Sequence, residues 1–240
     1  MSFVPALQKL LGNRRVRIDS SMLDECGSDA WLVSHRPEAV VFADNVQCVS
    51  RVMRFAQRHQ VPVTARGAGV GYVGGCVPMR GGIVLSLARM KRIRVLNAEA
   101  GVALVEPGVI TGDLQDAARR VGMFYPPDPA SLRECTIGGN IATNAGGPRC
   151  LKYGVTRHYV LGLEAVLPSG EIVQLGSRTH KNKTGFDLVG LFVGSEGLLG
   201  TVTLAALRLL PHPPARACVA AAFVNERQAA RAVLRVLGSG

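Results

Sequence analysis

Twenty-eight of the 240 residues are glycine, and they are bunched rather than spread. The densest runs are RGAGVGYVGG from Arg66 to Gly75, TIGGNIATNAGG from Thr136 to Gly147, and GSEGLLG from Gly194 to Gly200. Glycine adopts positive φ without penalty and lets the main chain approach a ligand, at a cost in chain entropy. Successive backbone N–H groups without side-chain cover make an anion-binding concavity, and a diphosphate is its natural guest. The second run adds the short polar side chains of Asn140, Thr143 and Asn144, suited to hydrogen-bonding a ligand's edges. Two such runs separated by a sheet-forming segment suit a long ligand with a polar middle.

Other readings of the same residues fail on context. Gly69-x-Gly71-x-x-Gly74 satisfies G-x-G-x-x-G, but Cys76-Val77-Pro78 follows where a Rossmann site needs a helix. The acidic residue expected about 20 positions on is replaced by the basic stretch Lys91 to Arg94. A P-loop fails because no glycine precedes a lysine at the required spacing. The net charge of +11 comes from arginines along the whole chain, and aromatic residues are only 5%. That is a solvated basic surface, not the clustered footprint of a nucleic-acid binder. Six cysteines form no C-x-x-C pair and five histidines no H-x-x-x-H pair, so no metal site is expected. No apolar run reaches the roughly 18 residues of a membrane span. The opening MSFVPALQKLLGNRRV puts its apolar residues before its basic ones, unlike a secretory signal. A cytoplasmic location is expected, with any membrane association running through partners.

Periodicity predicts an α+β chain. A helical start at Ala6 to Leu11 precedes a strand at Val40 to Phe42 and an N-cap at Asp44 or Asn45. Val49, Val52, Met53 and Ala56 then fall at helical spacing. Strands are expected at Val61 to Ala65, Ile83 to Ser86, Ile93 to Leu96 and Val102 to Val105. Thr111 is expected to cap a helix through Val121. Strands at Leu163 to Leu167 and Ile172 to Leu175 flank the hairpin turn Pro168-Ser169-Gly170. Asp187 to Val193 reads as a short helix and Val202 to Leu210 as a long strand. After the linker His212-Pro213-Pro214, a strand at Cys218 to Val224 and a helix at Glu226 to Leu237 are predicted. One strand and one helix cannot bury enough surface to be a domain, so they are expected to open a further one or to be completed by a partner chain.

The segments VPVTARGAGVGYVGG, YPPDPASLRECTIGGNIATNAGGPR, LKYGVTRHYVLGLEAVLPSGEIV, KNKTGFDL and LFVGSEGLLGTVT resemble the FAD-binding domain of the vanillyl-alcohol-oxidase (PCMH) type. Within it the chain is similar to the glycolate oxidase D-subunit, D-lactate dehydrogenase and D-2-hydroxyglutarate dehydrogenase group, over roughly residues 36 to 212. The resemblance implies a two-lobed domain at 36–212, with lobes of about 36–100 and 101–212. A lead segment at 1–35 precedes it, and 213–240 begins an incomplete ferredoxin-like cap. It carries cofactor contacts onto Arg66, Gly67, Ala68, Gly69, Val70, Gly71, Gly74 and Gly75 at the diphosphate, and onto Pro127, Asp128, Gly138, Gly139 and Asn140 further along. Thr143, Asn144 and Gly146 are placed near the flavin ring, and Glu196, Gly197, Gly200 and Val202 by the last strand.

Four positions depart from the family pattern. Val70 stands where threonine or serine is usual and where covalent relatives carry histidine, so the FAD is expected to be non-covalent. Ala65 replaces a proline, Phe186 a tyrosine and His158 an aspartate. The implied function is the FAD-binding portion of a 2-hydroxy-acid oxidoreductase acting on a small anionic substrate such as glycolate or D-lactate. The substrate-binding cap, or a partner subunit supplying it, lies outside the matched segments. No catalytic residue is assigned, and Arg178, His180 and Lys183 read as an exposed basic loop. The alternative is a flavin-binding module with no turnover of its own. A UDP-N-acetylenolpyruvoylglucosamine reductase fits the motifs less well.

Overall fold

The computed structural model describes residues 2–31 and 33–239. The first lobe runs α1 (Val4–Leu11), β1 (Val16–Arg17), α2 (Ser20–Cys26), β2 (Ala39–Phe42), α3 (Val46–His59), β3 (Val63–Arg66) and β4 (Ile83–Ser86). Its sheet has the order β1-β2-β4-β3, with β2, β4 and β3 parallel and β1 antiparallel at the edge. Parallel strands buried on both faces read as continuous apolar runs, and AVVF and IVLS do so. Val41, Ile83 and Leu85 face Leu7, Val49 and Val52, while Val40 and Val84 face Leu23 and Cys26 of α2. The lead segment is therefore woven into this lobe through α1, β1 and α2. The Asn45 side chain caps α3 by accepting from the Cys48 N–H at 2.8 Å.

The second lobe runs β5 (Ile93–Asn97), β6 (Val102–Val105), α4 (Thr111–Arg120), β7 (Met123–Phe124), α5 (Ile137–Thr143), α6 (Cys150–Tyr153), β8 (Val160–Val166), β9 (Ile172–Gly176), α7 (Leu188–Phe192), β10 (Thr201–Arg208) and β11 (Leu210–Pro211). Its antiparallel sheet has the order β5-β6-β10-β8-β9, so β5 belongs to this lobe although it precedes residue 100. One face packs Val105, Leu163, Ala165, Ala205 and Leu207 against Leu114, Ile137 and Ile141 of the helices. The predicted hairpin is present: Gly170 takes φ +82° and its N–H donates to the Leu167 carbonyl at 2.8 Å. The same turn locks the lobes together, because the buried Ser50 hydroxyl of α3 donates to the Gly170 carbonyl at 2.6 Å.

Two local expectations are corrected. Thr111 is the first helical residue of α4, not its cap; its hydroxyl is 3.3 Å from the Cys135 carbonyl. Cys218 to Val224 is not a strand, since no neighbouring segment offers it a ladder, while α8 (Glu226–Gly238) forms with no buried residue. No helix among the described residues is long and apolar enough to cross a membrane.

Candidate functional site

The three glycine runs converge on one cavity of about 490 Å³ between the lobes. The first run leaves β3 as a loop and contributes Arg66 through Val73, with Gly75 and Cys76. Among the described residues, the amides of Gly67, Ala68, Gly69, Val70 and Gly71 donate no hydrogen bond within the protein. Unpaired N–H groups in a partly buried loop are costly unless a ligand or water satisfies them. Gly69 takes φ +78°, and a Cβ there would run into the Arg66 guanidinium folded against it. That guanidinium donates to the Ser28 carbonyl at 2.5 Å and to the Glu25 carbonyl at 3.3 Å. It forms no ion pair among the described residues, so its charge is uncompensated at the cavity wall.

The second run opens as a helix, α5, and not as a nest of free amides. Thr136 caps α5, its hydroxyl accepting from the Gly139 N–H at 3.3 Å. The Ile137 and Gly138 amides donate to the Val109 and Pro107 carbonyls at 2.8 and 2.7 Å. The first amides of this helix are thus spent inside the protein, and Gly138 and Gly139 serve close approach instead of anion binding. A Cβ on Gly138 would lie 2.7 Å from the Pro107 Cβ, and one on Gly67 would lie 2.5 Å from the Thr136 Oγ1. The third run closes the far side, with the Gly194 and Glu196 amides donating to the Ile141 and Ala142 carbonyls of α5, both at 2.9 Å. Glu196 adopts φ +51° and its carboxylate faces Gly75, where a Cβ would stand 2.7 Å from Oε2.

Arg66 to Gly71, Gly75, Gly138, Gly139, Asn140, Thr143, Glu196, Gly197, Gly200 and Val202 all line this cavity, as does Ala65. Five predicted residues lie beside it with structural partners. Gly74 donates its N–H to Asp29 Oδ2 at 2.9 Å. The Pro127 carbonyl accepts from the buried Gln115 amide at 2.7 Å, and Asp128 pairs with Arg149 at 3.0 Å. Asn144 ends α5 in the left-handed conformation and accepts from the Arg157 N–H at 2.9 Å. Gly146 packs on Cys150, where a Cβ would meet the sulfur at 2.9 Å. Asn140 lines the cavity yet is itself engaged, donating to the Thr111 hydroxyl at 2.6 Å. Phe186 is almost wholly exposed, and Arg178, His180 and Lys183 are not among the lining residues.

The sequence did not single out Pro129, Ala130, Ser131 and Cys135, which also line the cavity. Nor did it single out Tyr72, Val73 and Cys76, which continue that loop past its free amides. Burial pushes the Cys76 thiol up despite the nearby Arg66 charge, so it stays protonated and weakly nucleophilic. Cys135 is buried with its sulfur 3.4 Å from the Thr111 hydroxyl. Among the described residues no cluster of three or more histidine, cysteine or acidic side chains is placed to hold a metal ion. Arg66 and Glu196 are the charged residues in the lining.

The free amides of the first run suit an anionic group on the ligand. The cradle has a file of free amides and a guanidinium without an ion-pair partner among the described residues at one wall, and close contacts at Gly67 and Gly75 that leave no room for a side chain.

Comparison with known proteins bears on that ligand. The family described as "FAD binding domain" matches residues 37–176. The glycolate oxidase subunit GlcD of Bacillus subtilis (strain 168) is 44% identical over 203 residues, covering 85% of this chain and 43% of that protein. A D-lactate dehydrogenase of Anaerostipes hadrus is 39% identical over 207 residues, covering 85% of this chain and 43% of that protein. Among solved structures, an alkyldihydroxyacetonephosphate synthase superposes with a TM-score of 0.77 at 23% identity over 89% of this chain and 41% of its own, a likeness of fold. The chain spans less than half the length of these curated relatives.

Proposed function

The chain belongs to the FAD binding domain family, and on that premise we propose that it is the cofactor-holding part of a flavin-dependent 2-hydroxy-acid oxidoreductase of the glycolate or D-lactate type. The observation that carries this reading is the file of unpaired amides from Gly67 to Gly71 beside the uncompensated Arg66. Those N–H groups and the guanidinium hold the cofactor's diphosphate, while Gly138, Gly139 and Thr143 of α5 and Glu196 and Gly197 of the third run flank its length. When bound, FAD supplies the acceptor for the hydride that leaves the substrate's carbinol carbon. The chain's own residues position the cofactor and exclude water along it, and no acid or base for the hydroxyl proton is assigned among them.

The proposed cofactor is non-covalent. Val70 presents no nucleophile at the diphosphate loop, and Cys76 is held as a thiol by burial. The proposed organisation extends the FAD-binding domain from 36–212 back through α1, β1 and α2, which pack into its first lobe, and treats 213–240 as a separate unit. A cap in the same protein, or a partner chain, supplies the groups that clamp a small anionic 2-hydroxy acid.

Purified chain should carry or take up yellow flavin, released intact by acid precipitation. Glycolate or D-lactate should bleach it once the cap or partner is restored. Colourless protein that takes up no added FAD refutes the reading. Flavin that binds but resists reduction even then favours a binding module without turnover.

A further inference from the structure

The free-amide loop leaves open what holds it in shape, because five consecutive residues whose amides donate no internal hydrogen bond are expensive to order. One end is fixed by Arg66 in β3. At the other end stands Asp29, a buried carboxylate 6% exposed and distant in sequence. Its Oδ1 accepts from the Trp31 and Val33 amides at 3.0 and 3.2 Å, and its Oδ2 accepts from the Gly74 amide at 2.9 Å. Beside it the Ala30 amide donates to the Gly71 carbonyl at 3.2 Å, and Arg66 reaches back to the Ser28 and Glu25 carbonyls. The segment after α2 thus grips the cofactor loop at Arg66, Gly71 and Gly74.

We propose that Asp29 is a positioning residue for the diphosphate loop. It touches no ligand; it fixes Gly74 so that the amides of Gly67 to Gly71 face the cavity before the ligand arrives. Without the staple, binding must order the loop, and affinity falls by the cost of doing so. A hydrogen bond to a charged acceptor is worth about 1.5–3 kcal/mol, which sets the expected loss at roughly 10- to 100-fold. The inference rests on the FAD reading above and adds a residue outside the cavity lining to it.

The test compares the full chain with its Asp29→Asn and Asp29→Ala variants, using FAD, ADP and riboflavin as probes. Asp29→Asn keeps the volume and an acceptor for Trp31 and Val33 but can turn an N–H donor toward Gly74, so it carries the test if Asp29→Ala does not fold. FAD and ADP should weaken together by about 10- to 100-fold, riboflavin should hold, and the melting temperature of the ligand-free Asp29→Asn variant should stay within a few degrees. A folded variant that binds ADP as the native chain does overturns the role of Asp29 and leaves the FAD reading intact. Equal losses for riboflavin and ADP overturn it too, since a general weakening of the fold does that. A native chain that binds neither FAD nor ADP overturns both. Amide hydrogen exchange on the unliganded native chain supplies a measurement without variants. The Gly74 amide should be protected while those of Gly69 and Gly71 exchange fast, and equal rates contradict the staple.

Discussion

Replacing Gly67 by alanine tests whether the two walls of the cavity meet as closely as the structure shows. A Cβ there would stand 2.5 Å from the Thr136 Oγ1, against an ordinary contact of 3.4 Å or more. The hydroxyl must retreat by the difference, about 0.9 Å. It already accepts from the Gly139 N–H at 3.3 Å, so a retreat of that size breaks the α5 cap. Loss of a threonine cap costs about 1 kcal/mol, and forcing a methyl into a packed site costs roughly 1–3 kcal/mol. Gly67→Ala should therefore destabilise the ligand-free chain by about 2–4 kcal/mol, read from urea unfolding. Thr136→Ala removes the obstacle and the cap together and should cost about 1 kcal/mol. Once Thr136 is alanine the new methyl has room, so the double variant should cost little more than Thr136→Ala alone. The coupling should reach about 2–4 kcal/mol, well outside the 0.5 kcal/mol or so expected of independent sites. Additive losses would refute the contact between the first loop and the start of α5.

Two further outcomes follow from buried polar groups. Glu106 is 1% exposed in the turn that carries Pro107 to the cavity. Burial pushes its carboxyl up, but hydrogen bonds from Arg92, side chain and backbone, and from Arg94 outweigh this and hold it below the usual carboxylate range. A lowered folded pKa gives stability that is complete above the unfolded value of about 4.3 and is lost as pH falls through the folded value. Unfolding free energy should fall more steeply below about pH 4 in the native chain than in Glu106→Gln. At neutral pH Glu106→Gln should cost about 1–3 kcal/mol, discounted because both arginines reach solvent; equal acid slopes would contradict the clamp. Tyr125 is fully buried, its hydroxyl has no partner among the described residues, and burial raises its pKa. Tyr125→Phe should leave the melting midpoint unchanged or raise stability by up to about 1 kcal/mol, and a clear loss would show that the hydroxyl is bonded.

What was legible in the sequence is what short-range chemistry decides. The hairpin at Pro168 to Gly170 and the Asn45 cap are set by residues within a few positions of one another. The buried strand IVLS is its own signal because both its faces are covered. Nothing in TIGGN announces a helix, since two adjacent glycines disfavour one. It folds as α5 because Thr136 caps it and its first amides find Pro107 and Val109, thirty residues upstream. CVAAAFV has an apolar run fit for a strand but no neighbour to pair with, and a strand without a ladder does not form. The same limit hid Pro129 to Ser131 as a cavity wall, since the preceding turn is placed by Gln115 holding the Pro127 carbonyl. Asp29 escaped notice for the same reason: its partner Gly74 is 45 residues away.

The central claim is that the amides of Gly67 to Gly71 hold the diphosphate of FAD. Amide chemical shifts of the isotopically labelled chain, recorded on adding FAD, ADP and riboflavin in turn, test it most directly. The account predicts large shifts at residues 67–71 with FAD and with ADP, and small ones there with riboflavin. Saturable FAD binding that leaves those five amides unmoved, or no binding at all, would contradict it.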